Sequence, residues 1–147
     1  MKKFRFTLDR IKQYRIQIEE MEKNDLSALR AELAELEQQA EEIKRSILAK
    51  SDELRRLYRK GAYPNEISVA NRYLTFKKQS LEMKMGEIEE KNKQIEKKLQ
   101  DVIEATQEVK KMEKLEEHQL EEYKQAELKE NENFIEEFFG AKPKVEA

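Results

Sequence analysis

The sequence predicts an all-α protein in which two long helices form an antiparallel coiled-coil hairpin. Apolar residues recur with heptad spacing along nearly the whole chain, which is typical of coiled-coil helices. The pattern has one strong break, at residues 60–66. Charged residues make up 42% of the chain, against roughly 25% in ordinary globular domains. A chain of this composition either stays disordered or forms long paired helices, and the periodicity favours paired helices.

The break contains residues that reverse a helical chain. Gly61 readily takes the left-handed conformation that ends a helix, and Pro64 suits the first turn of the next one. Either Tyr63 or Asn65 would cap that second helix, with Glu66 in its first turn. We therefore predict one domain with a first helix at about 3–59, a turn at about 60–66, a second helix at about 67–139 and a disordered tail at 140–147.

The first helix carries a nearly unbroken apolar seam. Its a and d positions are Leu26, Leu29, Leu33, Leu36, Ala40, Ile43, Ile47, Lys50, Leu54 and Leu57. Before this stretch the apolar residues follow another frame, through Phe4, Leu8, Ile11, Arg15 and Ile18. The two frames differ by about four residues near Asn24, which predicts a stutter. It is either an imperfect repeat or a deliberate bend or change of partner.

The second helix is predicted to pair through a seam that begins at Leu81. The seam positions are Leu81, Met85, Ile88, Asn92, Ile95, Leu99, Val102, Thr106, Val109, Glu113, Glu116, Leu120 and Tyr123. The polar members Asn92 and Thr106 would weaken this seam but set its register. Because Glu113 and Glu116 also occupy it, pairing should loosen toward the C-terminus.

Opposite charges at the two ends of the chain favour the antiparallel arrangement. Residues 1–16 hold six Lys and Arg side chains against one Asp, whereas residues 113–139 hold ten Glu against three Lys. Pairing outward from the turn brings Met1 opposite about residue 125. The end of the second helix should therefore extend beyond the first helix.

Two aromatic clusters are candidate partner-binding sites. The extension carries Phe134, Ile135, Phe138 and Phe139, which either pack onto Phe4 and Phe6 or form a docking helix for a groove or ring on a partner. Near the turn lie Tyr58, Tyr63, Tyr73 and Phe76. These four either close the seam or form an exposed face that a partner recognises.

The sequence contains no pattern for catalysis, and we predict no catalytic, cofactor or metal site. A two-helix coil has no interior for a substrate pocket of ~300 Å³ or more. His118 is the only His, the chain has no Cys, and Lys pairs alternate with Glu, so neither a metal site nor a nucleic-acid interface is expected. No apolar run approaches the ~18 residues of a membrane span. We therefore expect a non-enzymatic cytoplasmic protein.

Three stretches carry a family resemblance: Lys3-Phe4-Arg5-Phe6 followed by Leu8, Ile11 and Tyr14-Arg15; Gly61 followed by Asn71-Arg72-Tyr73 and Phe76; and Val109-Lys110-Lys111-Met112-Glu113-Lys114-Leu115. Together they resemble the flagellar FliJ family, the small coiled-coil component of the flagellar type III export apparatus. The resemblance implies a fold similar to the two-helix stalk of rotary ATPases. It also implies three partners: the export ATPase ring, the cytoplasmic domain of the export gate, and export chaperones.

The same resemblance implies where those partners bind. The gate-contacting aromatics would be Tyr73 and Phe76, and the ATPase would bind the segment around Phe4 to Ile18 and the C-terminal part of the second helix. The protein would lie peripherally at the cell membrane near the flagellar base, held there by the gate. The alternative function is a structural coiled-coil spacer or a membrane-surface scaffold, for which the basic amphipathic N-terminus is the motive.

Overall fold

The chain folds as a helical hairpin, which confirms the predicted fold class. A computed structural model describes residues 2–140. Helix α1 spans Asp9–Lys60 and helix α2 spans Pro64–Gly140, and the described residues contain no strand. They fall into two compact units: unit 1 comprises residues 2–21 with 102–140, and unit 2 comprises residues 22–101. Most of the predicted tail, residues 141–147, lies outside the described part of the chain.

The turn between the helices is shorter than predicted and occupies residues 61–63. Gly61 has a φ of 73°, the left-handed conformation expected of a glycine that follows a helix. The amide of Ala62 donates to the carbonyl of Leu57 at 3.0 Å, and the amide of Gly61 donates to the carbonyl of Tyr58 at 3.4 Å. These two bonds form a Schellman motif, which satisfies carbonyls that the end of α1 leaves unpaired.

Tyr63, rather than Asn65, caps the start of α2. Its carbonyl accepts hydrogen bonds from the amides of Glu66 and Ile67, at 3.0 and 3.3 Å. Pro64 is then the first helical residue, a position where its missing amide hydrogen costs nothing. The helix therefore begins three residues earlier than predicted.

The first residues of the chain form a non-helical strap instead of the predicted start of α1. This N-terminal strap, residues 2–8, precedes the helix that begins at Asp9. Phe6 is only 7% exposed, and the ring centroid of Phe4 lies 5.6 Å from that of Tyr123 on α2. Side chains two residues apart point to nearly opposite sides of a helix. A non-helical strap lets both Phe side chains pack within unit 1.

Polar contacts fasten the same strap to α2. The backbone amide of Thr7 donates to Oε1 of Gln119 at 3.4 Å, and Nε2 of Gln119 donates to Oγ1 of Thr7 at 3.1 Å. The hydroxyl of Tyr123 donates to the backbone carbonyl of Lys2. The strap is therefore held by both ring packing and hydrogen bonds.

The apolar seam of α1 in unit 2 is confirmed. Every predicted position from Leu26 to Leu57 is buried or half-buried, including Lys50. The predicted stutter stays a prediction. In unit 1, Leu8, Arg15 and Ile18 of the predicted frame are half-buried and Ile11 is exposed, but Lys12 and Glu19, which continue the 3,4 spacing back from Leu26, are half-buried as well. The aliphatic stem of Lys12 packs while its charged end reaches Glu116, whereas the buried Nε of Arg15 has no hydrogen-bond partner.

Most of the predicted seam of α2 is confirmed. The buried or half-buried positions are Leu81, Ile88, Ile95, Val102, Thr106, Val109, Glu116, Leu120 and Tyr123. Four predicted positions are wrong, since Met85, Asn92, Leu99 and Glu113 are exposed. The observed seam passes instead through Lys84, Lys91, Lys98, Ala105, Met112 and Gln119. Near the turn, Ala70 and Leu74 continue the seam and are buried.

Four lysines at intervals of seven residues explain this difference. We call Lys77, Lys84, Lys91 and Lys98 the lysine seam; all four are half-buried. Three of their ammonium groups reach acceptors on α1: Lys84 Nζ lies 2.8 Å from Gln39 Oε1, Lys91 Nζ 2.6 Å from Glu32 Oε2, and Lys98 Nζ 3.0 Å from Glu22 Oε2. The lysine stems pack between the helices while the charges point outward to these acceptors.

Candidate interaction surfaces

The last part of α2 presents an aromatic surface that nothing in unit 1 covers. From Lys124 to Gly140 every residue is exposed. We call Phe134, Ile135, Phe138 and Phe139 the terminal aromatic face; Phe134 is 66% and Phe138 61% exposed. The rings of Phe134 and Phe138 stack with centroids 6.2 Å apart, and Phe138 meets Phe139 edge to face at 5.1 Å.

Of the two interpretations of this cluster, packing onto the strap is wrong. Phe4 packs on Tyr123 and Phe6 is buried, so neither ring covers the terminal aromatic face. The last half-buried residue of α2 is Tyr123, which is close to residue 125, the position predicted to lie opposite Met1. A ring as buried as Phe6 offers almost no surface to a partner.

The aromatics near the turn are exposed in unit 2. Tyr58, Tyr63 and Phe76 are each more than 60% exposed, and Tyr73 is 38% exposed. The interpretation that these rings close the seam is wrong, because Ala70 and Leu74 fill it. Tyr73 instead receives two cations, with Lys50 Nζ 5.0 Å and Lys77 Nζ 5.6 Å from its ring centroid. Such contacts hold an aromatic ring in place at the surface.

Sequence reasoning missed two apolar neighbours of Phe76. Val69 and Met83 are exposed, and each lies seven residues from Phe76 along α2. A spacing of seven places the three side chains along one face of the helix. The signal was present in the sequence as a second heptad pattern, displaced by one position from the seam. Phe76 also lines a shallow groove with Ile67, Arg72 and Thr75.

Two of the lysine–glutamate pairs between the helices raise the pKa of their lysine, one in each unit. In unit 1, Lys12 Nζ lies 2.5 Å from Oε2 of Glu116, and this hydrogen bond raises the pKa of Lys12 above its ordinary value. In unit 2, the hydrogen bond to Glu22 likewise raises the pKa of Lys98. Burial works against both shifts but is the smaller effect. The Lys12–Glu116 pair joins the basic and acidic ends, as the charge distribution predicts.

His118 lies on the surface, with Nε2 3.1 Å from Oε1 of Glu122 one turn later. Across residues 2–140, no three His, Asp or Glu side chains come together as metal ligands would. Over the same residues, neither helix contains a stretch long and apolar enough to cross a membrane.

The comparison with protein families identifies the chain. A family model described as Flagellar FliJ protein matches residues 4–140, which takes in the strap, the turn and both helices. No curated protein and no solved structure matches. Because the match extends over nearly the whole sequence, the chain belongs to the flagellar FliJ family and is a component of the flagellar export apparatus.

Proposed function

We propose that this protein is a non-enzymatic stalk and escort that couples the flagellar export ATPase to the export gate and carries export chaperones. One observation carries the proposal: each compact unit has its own exposed aromatic surface, the terminal aromatic face in unit 1 and the aromatics near the turn in unit 2. Exposed aromatic clusters on helices are common anchors of protein interfaces. Two such surfaces suit a protein that contacts two machines.

We assign the export ATPase ring to unit 1. The terminal aromatic face supports this assignment, because it lies on a stretch of single helix that can enter a groove or ring as an amphipathic helix. Phe4, which keeps part of its ring exposed beside Tyr123, would border the same contact. The burial of Phe6 makes it a support for Phe4 in this proposal.

We assign the cytoplasmic domain of the export gate to the aromatics near the turn. Tyr73 and Phe76 would form the centre of the contact, flanked by Tyr58 and Tyr63. The cation contacts of Tyr73 support this assignment, because a ring held in place loses little conformational entropy on binding. Binding to the gate would place the protein peripherally at the cell membrane, on its cytoplasmic side near the flagellar base.

The experiment that tests the proposal uses two double variants and two purified partners. Phe134→Ala with Phe138→Ala should weaken binding to the export ATPase at least about tenfold and leave gate binding unchanged. Tyr73→Ala with Phe76→Ala should do the reverse. Binding of each variant to the ATPase and to the gate domain is measured by titration, together with ATP hydrolysis and hexamer formation.

Circular dichroism provides the control for both variants. Since Phe134, Phe138 and Phe76 are mostly exposed, helicity should stay nearly constant. If the wild-type protein neither binds nor stimulates the ATPase, the coupling function is refuted. If it floats with liposomes or forms filaments by light scattering instead, the spacer or scaffold function is the better account. Titration with export chaperones tests the escort role separately.

A further inference from the structure

The terminal aromatic face is one side of an amphipathic helix with an unusual arrangement of charge. At about 100° per residue, its four members, Phe134, Ile135, Phe138 and Phe139, fall within an arc of about 140° around the helix. Within residues 134–139 no polar side chain falls inside this arc, so the four members form one apolar stripe. Asn131 and Glu127 lie inside the arc, about 60° and 20° from Phe134, so the exposed Leu128 stands apart from the stripe.

Carboxylates border this stripe on both sides. Glu130 and Glu137 lie about 40–60° beyond Phe134 on one side, and Glu132 and Glu136 lie about 20–60° beyond Phe139 on the other. All four are exposed. The single lysine between residues 128 and 139, Lys129, lies on the far side of the helix from the stripe. The apolar stripe thus has two acidic rims.

The acidic rims decide between the possible occupants of the stripe. An anionic membrane surface attracts helices whose polar face carries Lys and Arg, so a glutamate-rimmed helix would be repelled. Pairing of this face with the same face of a second copy would bring glutamates against glutamates, and such like-charge contacts oppose association. A protein groove whose rims carry Lys and Arg suits this helix, because its apolar floor can bury the stripe and its basic rims can pair with the glutamates.

We propose that the terminal aromatic face docks as a helix into an apolar groove of a partner protein, with lysines or arginines on both rims of that groove. In this arrangement the Phe rings supply the lasting contact. The glutamates steer the approach and set the orientation of the helix, because rim charges act mainly on association. The proposal rests on the proposed function only for its choice of partners to test.

Association kinetics separate the two roles. The full chain is tested against three purified probes in turn, the export ATPase, the gate cytoplasmic domain and an export chaperone, at ionic strengths from low to high. For the probe that binds this face, the wild-type association rate should fall steeply with salt. The rim variant Glu132→Gln/Glu136→Gln/Glu137→Gln should associate about tenfold more slowly at low salt, with a flatter salt dependence and a nearly unchanged dissociation rate.

Two further variants provide the comparison. Phe134→Ala/Phe138→Ala should dissociate about tenfold faster or more while keeping the wild-type salt dependence. Glu89→Gln/Glu96→Gln/Glu104→Gln removes the same charge from exposed positions elsewhere on α2 and should behave as wild type. Equal kinetics for this control and the rim variant would overturn the proposal.

The remaining outcomes are also decisive. If the ATPase does not bind but the gate domain or the chaperone shows the rim signature, the ATPase assignment fails and the basic-rimmed groove stands. If none of the three probes binds through this face, the proposal is overturned. Two other results would overturn it: a dimer seen by sedimentation, or capture of the chain by anionic vesicles. Either result counts only if Phe134→Ala/Phe138→Ala abolishes it, because the effect then depends on the terminal aromatic face.

Discussion

Lys91 and Asn92 are neighbours on α2 that distinguish the observed register from the one that hydropathy favours. Lys91 lies in the lysine seam, with a side chain only 19% exposed, whereas Asn92 is exposed. Replacing Lys91 with Leu places a branched apolar side chain between Ile88 and Ile95, where full burial of a Leu contributes roughly 1.5–3 kcal/mol. We therefore expect Lys91→Leu to stabilise the hairpin, while Asn92→Leu only exposes another apolar side chain.

The size of the expected stabilisation depends on how much Lys91 already contributes to the free energy of unfolding. Its stem packs in the seam, so part of the apolar gain exists in the wild type, and its pair with Glu32 is worth at most about 1 kcal/mol because Glu32 is exposed. The net gain for Lys91→Leu is about 1 kcal/mol, or a rise in Tm of about 3 °C. Asn92→Leu should change the free energy of unfolding by less than about 0.5 kcal/mol.

Urea unfolding followed by circular dichroism measures both changes, and the m-value shows whether the unfolding transition itself is altered. Lys97→Leu, also at an exposed position, is the matched control for replacing a lysine and should be neutral. A stabilising Asn92→Leu together with a destabilising Lys91→Leu would mean that the seam follows Met85, Asn92 and Leu99. The register described above would then be refuted.

Three further predictions concern the turn, the ion pairs and the strap. Gly61→Ala should lower the free energy of unfolding by about 1–2 kcal/mol because φ is 73°, whereas Gly86→Ala should raise it by up to about 1 kcal/mol. Neither new methyl group meets an atom within 4 Å, so backbone conformation alone sets the two signs. Urea unfolding measures both changes. The hydrogen bonds that raise the pKa of Lys12 and Lys98 contribute stability that is complete below pH 10.5 and is lost as the pH rises through the raised values. The fall in Tm at alkaline pH should therefore be smaller in Lys12→Gln/Lys98→Gln, and an identical fall would contradict this linkage. Phe6→Ala should detach the N-terminal strap and speed tryptic cleavage after Arg5 about tenfold, with α-helical content unchanged; equal cleavage rates would mean that the buried ring does not hold the strap.

The turn and the first seam could be predicted because their residues admit few alternatives. Gly61 followed by Pro64 marks the end of one helix and the start of another, although not the residue at which the second begins, and a run of Leu and Ile at 3,4 spacing leaves α1 a single apolar face. The extension of α2 beyond α1 also followed from the sequence, which left open whether the aromatics on it pack onto Phe4 and Phe6. Counting residues outward from Gly61 predicts that α2 extends beyond the N-terminal end of the chain, and Tyr123 is the last half-buried residue of α2.

The register of α2 could not be predicted from hydropathy, because hydropathy treats a lysine as wholly polar. Leu99 outscores Lys98 on any such scale, yet Lys98 lies between the helices and reaches Glu22. The decision depends on acceptors on α1 that are 45 to 76 positions away in sequence. Only the pairing of the two helices shows which lysines have an acceptor within reach.

The strap was missed for a related reason. Phe4, Leu8 and Ile11 fit a helical period, so the sequence favours continuing α1 to the N-terminus. What overrides that local preference is the surface around Tyr123 and Gln119, which packs against the Phe4 ring and makes three hydrogen bonds to the strap. Tertiary contacts of this kind commonly override helix propensity at chain ends.

The lysine seam also restricts which helices can replace α1 beside α2. A leucine-zipper helix from another protein would provide none of the acceptors that Gln39, Glu32 and Glu22 supply to the ammonium groups of the lysine seam. Coiled-coil proteins are abundant, and a helix whose seam consists only of leucines can pair with many of them. Because α1 supplies these acceptors and is tethered to α2 by three residues, pairing within the chain is favoured over such exchange.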